Sequence, residues 1–367
     1  IPSASGFQFL CEDAVIAAFD ARPAWDNYQF GIGRNDFTNC IAQLSDRVAG
    51  RVDIATQVFF LTEAGSVDQA STTDENGIAV TSLRIGPPAP YEIVDVPANG
   101  YEANVDQRYL NSDFNPRDGL VTVVAVTRGE EDFVDVNGNK VWDEFEDYQL
   151  ANMDLAEPCI DANDDGECQT DLAVRGDEPY AEAFRDTNND GIWSDGNGTW
   201  DKDTEIWQAT HVLWTGVFDR ERSLIQVDCQ PGDQCYLDPA SELCRIPGVV
   251  GDEGTYFLGP GGRISVRARF NDTNGNCLDA YGDGETYVEV NGSLEEVRGL
   301  TQQDLLGNCF LDSIPTQPRA PTHVYEFADT SGLMVEEAQL STIRVGVRYR
   351  TLNGQQRDDF VTFQTCR

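Results

Sequence analysis

Apolar residues recur at every second position in many short runs of the chain. Between 263 and 270, Ile264, Val266, Ala268 and Phe270 alternate with Arg263, Ser265, Arg267 and Arg269. Successive side chains of a strand point to opposite faces, so this run predicts a strand with one buried side. The runs 56–64 (TQVFFLTEA), 77–86 (GIAVTSLRIG), 120–129 (LVTVVAVTRG), 286–292 (TYVEVNG), 341–351 (STIRVGVRYRT) and 358–366 (DDFVTFQTC) share its β-branched and aromatic texture. Gly, Asn, Asp and Pro clusters bound them, as turns require. Helical periodicity is scarce, with one modest candidate at 294–306 (LEEVRGLTQQDLL). Many short strands separated by turns predict an all-β chain of tandem sandwiches. Its 367 residues suffice for two or three domains.

One stretch breaks the pattern. From about 128 to 205, Val, Ile and Leu thin out, and 24 Asp and Glu stand against five Lys and Arg. That segment holds −19 of a formal net charge of −39. It has too little apolar surface for an ordinary core, so it is either disordered or ordered by something else. Its rings argue for order. Trp142, Trp193, Trp200 and Trp207 lie in or beside it, with Phe133, Phe145, Tyr148, Tyr180 and Phe184. Disordered acidic tracts are poor in aromatics.

Three runs inside this segment share a spacing. The first is Asp135-x-Asn137-x-Asn139-x-Val141-x-Asp143, with Glu146 at position twelve. The second is Asp161-x-Asn163-x-Asp165-Gly166-Glu167. The third is Asp186-x-Asn188-x-Asp190-Gly191-Ile192, followed by Asp195. Side-chain oxygens at positions 1, 3 and 5, a backbone carbonyl at 7 and carboxylates near 9 and 12 are how a loop wraps calcium. Calcium accepts an irregular cage of hard oxygens, whereas magnesium demands a regular octahedron, so Ca2+ is the expected cofactor, with several ions. One such loop would mean little, because Asp and Asn also form plain turns. Three between 135 and 195 make a stronger case. The first carries Lys140 where an EF-hand has glycine. The second and third have the glycine but no acid at position twelve, and Asp147, Asp201 or Asp203 are candidates to close them. No flanking helices are predicted. A fourth run, 271–285, has Asp272, Asn274 and Asn276 but reads as an Asn-Gly turn between strands.

Composition narrows the function. With 25 basic against 64 acidic residues, the chain lacks the clustered Lys and Arg that nucleic acid or an anionic membrane surface needs. Only Lys140 and Lys202 are lysines, an arginine bias that fits a salt-adapted or GC-rich source. No apolar run is long enough to span a bilayer. Ten cysteines without a CxxC pair point to disulfides and an oxidising, extracellular or cell-surface location. The local pairing reading joins Cys11–Cys40, Cys159–Cys168, Cys235–Cys244, Cys277–Cys309 and Cys229–Cys366, with connectivity otherwise open. No signal peptide stands at Ile1, so the expectation is a mature form or an excised segment. The sequons at Asn197, Asn271 and Asn291 would matter only in a eukaryotic chain.

CIAQLSDRVAGRVDIATQVFFLTEAGSV (40–67) followed by TTDENGIAVTSLRIGPPAP (72–90) resembles a bacterial Ig-like repeat of the invasin-like class. The resemblance lies in an Asp-Arg turn, a V-x-F-x-T-E-A-G strand and a T-D-x-N-G turn. The acidic block is similar to insertions in Ig-like surface proteins and lipoproteins of deltaproteobacteria, and its loops are similar to dockerin or thrombospondin type 3 repeats. The resemblance covers about 1–216 and is looser beyond. The Asp-Arg turn lacks the usual Gly-Asn-Pro continuation, and without a lipobox cysteine the resemblance does not imply membrane anchoring. It does imply an Ig-like domain over 1–127 completed by about 206–216 (including THVLWTG), an acidic calcium-binding insertion over 128–205, and a second Ig-like domain over 217–367.

The expected function is an extracellular structural or adhesive module of a surface stalk, layer or filament. Its partners would be other surface proteins, glycans or copies of itself, the last through an edge strand at SGFQFLC. The alternative is a carbohydrate-binding module in which Trp25, Trp142, Trp193 and Trp200 stack on sugars beside the calcium loops. Against it, those rings serve equally as a small core for the loops. An enzyme is not expected. No nucleophile elbow, zinc-binding helix or phosphate loop is present. The two histidines, His211 and His323, lie in strand-like runs.

Overall fold

The computed structural model describes residues 1–18, 37–52, 55–90, 119–144, 146, 153–162, 166–169, 172–175, 178–219, 223–228, 235–237, 255–258, 263–272, 276, 285–291, 295–299, 323–328, 340–350 and 356–366. It contains two compact units, one chiefly Ile1–Ala18 with Pro23–Trp214, the other chiefly Thr215–Ile314 with Pro318–Arg367. Each is an Ig-like β-sandwich.

The first unit holds β1 (Phe7–Cys11), β2 (Val15–Ala17), β3 (Phe37–Leu44), β4 (Gln57–Thr62), β5 (Ala70–Thr72), β6 (Ile78–Arg84), β7 (Leu120–Gly129), the short pair β8 (Leu172–Arg175) and β9 (Glu178–Tyr180), and β10 (Thr204–Thr215). One sheet runs β1-β3-β6 and the facing one β2-β10-β7-β4-β5. Alternation puts Phe7, Phe9, Cys40, Ala42, Leu44, Ala79 and Leu83 inside from the first sheet, and Val58 and Phe60 from the second. Phe9 and Phe60 meet at 5.9 Å, joining the two sheets. Each of the Phe, Leu and Val side chains among these contributes about 1.5–3 kcal/mol by leaving water.

The motif glycines have physical reasons. Gly65 of T-E-A-G has φ +65°, and a Cβ there would lie 2.2 Å from the Arg84 carbonyl and 2.9 Å from Trp214. Gly77 of T-D-x-N-G has φ +78°, and a Cβ would lie 2.5 Å from the Leu44 carbonyl. In the Asp-Arg turn, Asp46 Oδ1 accepts from the N–H of Val48 and Gly50.

Strand β7 does not alternate, because nearly all of it is buried. Strand β10 pairs with it antiparallel from Thr204↔Gly129 to Leu213↔Leu120. Residues 130–203 leave the sheet at Gly129 and return at Thr204. On the outer face of that sheet Val124 and Val126 pack with Ile160 and Ala162 of the insertion, flanked by Phe59, Leu61 and Trp207. Two polar contacts pin the same face: Thr122 Oγ1 donates to the Asp161 carbonyl and Trp207 Nε1 to the Ala156 carbonyl. At the insertion's first residues Arg47 spans Glu130 (3.1 Å), Asp132 (2.6 Å) and the Glu131 carbonyl (2.6 Å). Its guanidinium lies 3.9 Å over the Phe133 ring.

The second unit contains β11 (Leu224–Asp228), β12 (Cys235–Leu237), β13 (Thr255–Leu258), β14 (Arg263–Arg269), β15 (Glu285–Asn291), β16 (Glu295–Gly299), β17 (His323–Ala328), β18 (Leu340–Arg350) and β19 (Gln356–Cys366). Its sheets run β11-β14-β17-β16 and β12-β13-β19-β18-β15, with β13 parallel to β19. Val266 and Ala268 from one sheet, Phe270 just past the end of β14, and Ile343, Val345 and Val347 from the other sheet are buried. The helix expected at 294–306 is corrected in its first half. Residues 295–299 form β16 against β17, with a bulge between Glu296 and Arg298. Cross-strand pairing outweighs a weak helical period. Among the described residues no helix is long and apolar enough to cross a membrane.

Candidate metal centre

The insertion is built from short polar turns, and the three sequence-predicted loops repeat one bonding pattern. In each, the first aspartate accepts a backbone N–H from position six: Lys140 to Asp135 Oδ2 (2.9 Å), Gly166 to Asp161 Oδ2 (2.8 Å) and Gly191 to Asp186 Oδ2 (2.8 Å). The donor has positive φ in all three, 64° at Lys140, 84° at Gly166 and 82° at Gly191. Lys140 thus takes the turn that glycine takes elsewhere, at a cost of about 1–2 kcal/mol for a residue with a Cβ. Position three accepts from position five, Asn139 N–H to Asn137 and Asp190 N–H to Asn188, both 2.8 Å. Position five accepts from position seven, Val141 N–H to Asn139 and Ile192 N–H to Asp190, again 2.8 Å. In the first loop the Asn137 and Asn139 amides also donate to Asp143 Oδ2.

A buried glutamate closes each loop in the same way. Glu146 closes the first, accepting from Val136 N–H (2.9 Å) and Asp143 N–H (3.1 Å), positions two and nine. For the second loop that residue is Glu182, which accepts from Ala162 (2.8 Å) and Gln169 (2.7 Å). For the third it is Glu157, which accepts from Thr187 (2.9 Å) and Ser194 (3.0 Å). Each glutamate also donates its own N–H to the carbonyl at position nine: Asp143, Gln169 and Ser194. Their exposures are 4% for Glu146, 2% for Glu182 and 7% for Glu157. Carboxylates this buried need charge or hydrogen-bond partners.

The acids proposed to close the second and third loops were Asp147, Asp201 and Asp203. Asp147 lies outside the described residues. Asp203 faces Arg128 at 3.0 Å, and Asp201 takes the Asn197 amide. Glu157 and Glu182 take that place instead, each from outside the loop it closes. A signal existed, because a glutamate lies four residues ahead of each loop's first aspartate: Glu131 before Asp135, Glu157 before Asp161 and Glu182 before Asp186. The last two are exchanged, so that the glutamate before one loop closes the other. The backbones beside them pair accordingly, Ile160 N–H to the Ala183 carbonyl and Arg185 N–H to the Pro158 carbonyl.

Of the remaining sequence-predicted ligands, Asn163 and Asp165 lie outside the described residues. Glu167 and Ile192 are exposed, with Val141. Asp195 accepts from Gly196 N–H (2.9 Å), while position nine of its loop is Ser194. At the fourth run, Asp272 and Asn276 close a turn on each other's backbone, and Asn274 lies outside the described residues.

The tryptophans are built into this structure. Trp193 Nε1 donates to the Glu157 carbonyl and Trp200 Nε1 to the Glu131 carbonyl. Trp142 stacks on Trp200 at 5.2 Å and Phe133 meets it edge-on at 5.7 Å. Trp25 lies outside the described residues. His211 sits in β10 opposite Thr122 and His323 in β17 opposite Ala268.

Two disulfides are described. Cys11–Cys40 ties paired positions of β1 and β3, and Cys159–Cys168 spans the second loop. The side chains of Cys229, Cys235, Cys244, Cys277, Cys309 and Cys366 fall outside the description. Cys159 and Cys168 lie beside Glu182, but joined to each other they offer a metal no thiolate.

No family model matches the chain, and no curated protein does. Among solved structures it is similar to the adhesin InvE of Yersinia pseudotuberculosis, with 10% identity and a TM-score of 0.23 over 99% of this chain and 60% of that one. A fragment of intimin, solved with the intimin-binding domain of its translocated receptor, gives 8% and 0.23 over 96% and 62%. The Escherichia coli adhesin FdeC gives 8% and 0.28 over 97% and 63%. The chain therefore spans about three fifths of the length of these structures. At such scores the assignment of the fold rests on the sheets themselves.

Proposed function

We propose that this chain is an extracellular, calcium-stabilised module of a bacterial surface protein, structural or adhesive in role. The observation that carries the calcium reading is the repeated loop. In all three DxN-type turns the first aspartate accepts the position-six N–H, and a buried glutamate closes each on positions two and nine. The donor set is all oxygen, from Asp, Asn, Glu and backbone carbonyl, which suits calcium and not a thiolate- or imidazole-seeking metal. Asp135, Asn137, Asn139, Asp143 and Glu146 would hold one ion. Asp161 with Glu182, and Asp186, Asn188 and Asp190 with Glu157, would hold two more. Bound calcium supplies the positive charge that lets crowded carboxylates face each other. The chain's own part is to hold those carboxylates in place beforehand, through the backbone N–H groups they accept.

Disulfides support an oxidising location. Two sandwiches with a metal-braced insertion suit a rigid spacer or a docking module for surface proteins, glycans or further copies of the chain. The reading assigns no catalytic step.

Thermal unfolding and limited proteolysis with calcium and then EGTA, under non-reducing conditions, test it. Calcium is expected to raise the melting temperature and protect 130–203 from cleavage. Stabilisation grows as RT ln(1 + [L]/Kd), about 2.7 kcal/mol at a hundredfold excess over Kd. Identical traces in calcium and EGTA would sink the calcium reading.

A further inference from the structure

The pattern of the three loops occurs once more, in pieces that no continuous motif reveals. Glu131, four residues ahead of the first loop, closes none of the three loops above. Its carboxylate accepts from Leu155 N–H and Asp201 N–H, both at 2.8 Å, and its own N–H donates to the Asp201 carbonyl. Those are the three bonds each closing glutamate makes, with Leu155 at position two and Asp201 at position nine. Position one is then Asp154. Its Oδ2 accepts from Gly198 N–H at 2.9 Å, and Gly198 has φ +76°, as position six does in every loop. Counting back, Asn197 is position five and Asp195 position three. Thr199 N–H donates to Asn197 Oδ1 (2.7 Å), the position-seven bond, and the Asn197 amide donates to Asp201 Oδ2 (2.6 Å), as Asn139 does to Asp143.

An independent feature points to a ligand. Asp154 Oδ1, the oxygen not used by Gly198, is closed off from solvent and accepts no hydrogen bond. A Cβ at Gly196 would come within 2.6 Å of it, so the space beside that oxygen exists only because the residue is glycine. Glu131 itself is 2% exposed. Burial pushes its carboxyl above the usual range, and the charges of Asp201 and Asp154 push the same way.

We infer that Asp154, Asp195, Asn197, the Thr199 carbonyl, Asp201 and Glu131 form a fourth calcium site, split across three separate stretches of the insertion. It rests on the calcium reading of the three continuous loops and adds an ion to it. It also gives Asp195 a place that the third loop does not. Because its ligands come from 131, 154 and 195–201, an ion there joins the insertion's first residues to its last. It would close the segment as a unit, whereas the first loop closes only itself and the second and third close each other. Trp200, at position eight, would carry the report of binding, because its indole is anchored on the Glu131 carbonyl and stacked on Trp142.

The test counts ions. The full chain is dialysed against micromolar calcium in physiological salt, and bound calcium is measured per chain for wild type, Asp154→Asn and Glu131→Gln. Four ions in the wild type and three in each variant are expected. Trp200 fluorescence should change with calcium in the wild type and lose part of that change in both variants. A wild-type count of three overturns the fourth site while leaving the continuous loops standing, and so does a count of four in Asp154→Asn. A count of zero overturns the calcium reading as a whole. Should Glu131→Gln fail to fold, Asp154→Asn and the wild-type count decide alone, since that substitution keeps the size and one acceptor oxygen of Asp154.

Discussion

Strand β7 and the insertion that leaves from its end are neighbours in sequence and in space, yet different forces order them. Along β7, Val121, Val123, Val124, Ala125 and Val126 are buried and need only apolar partners, from the facing sheet or, for Val124 and Val126, from the insertion. Along the insertion the most buried side chains include Glu131, Glu146, Glu157 and Glu182. Apolar burial is non-directional and tolerates small shifts. A buried carboxylate tolerates none, because an unmet partner costs about 1–3 kcal/mol. The sandwich should therefore be stable under any ionic condition, and the insertion only where its charges are balanced. At the seam between them, Val124 and Val126 against Ile160 and Ala162, the insertion too is held by apolar contact.

The sharpest way to break this comparison is a core truncation. Phe60→Ala removes the ring that meets Phe9 across the sandwich and should cost about 3–5 kcal/mol. Chemical denaturation should show the same loss in calcium and in EGTA. A loss that appears under only one condition would mean that core and insertion unfold as a single unit.

The insertion's covalent staple comes next. Replacing Cys159 and Cys168 by Ser opens a bridge of sequence separation 9. The chain-entropy account assigns such a loop about 2.5 kcal/mol. In EGTA the double variant should be cleaved within 130–203 at lower protease concentration, with the sandwich's unfolding midpoint unmoved. Calcium should restore most of the protection, because the second loop's ligands remain. Removing Cys11–Cys40 should do the opposite, weakening the sandwich alone in both conditions.

The sandwich was legible in the sequence for the same reason that it should be insensitive to ions. Alternation is local, and β4, β6, β7, β14, β15, β18 and β19 all fall on runs that alternation or β-branched texture marked. β16 was not legible, because Glu295 to Gly299 has no apolar rhythm and is a strand only by virtue of β17. The loops were half legible. Positions one to seven are contiguous and spelled out by Asp and Asn. The closing residue was visible only in the first loop, where Glu146 stands twelve positions along the same chain. In the others it arrives from elsewhere, Glu182 for Asp161 and Glu157 for Asp186, and no spacing rule within one loop finds it. The split arrangement around Glu131 was wholly hidden, since its first position and its remainder are 41 residues apart in sequence, from Asp154 to Asp195.

The smallest effect separates a carboxylate that merely shapes a turn from those that crowd the insertion. Asp74 lies in the T-D-x-N-G turn between β5 and β6, where its Oδ1 accepts from Asn76 N–H (2.8 Å) and Ile78 N–H (2.9 Å). The Ile78 bond, and after it the Asn76 bond, holds its carboxyl below the ordinary aspartate value of 3.8. A depressed folded value means that the charged form stabilises the fold. That contribution is complete above the unfolded value and disappears as pH falls through the folded one. Asp74→Asn should therefore lower the sandwich's urea midpoint slightly at neutral pH, and the gap from wild type should close as the solution is acidified past the carboxylate range. The gap should be identical with and without calcium, because both N–H groups that Asp74 Oδ1 accepts belong to the turn's own backbone. A calcium-dependent gap at this exposed turn would show that ion binding reaches the sandwich, and the division between the two modes of order would have to be redrawn.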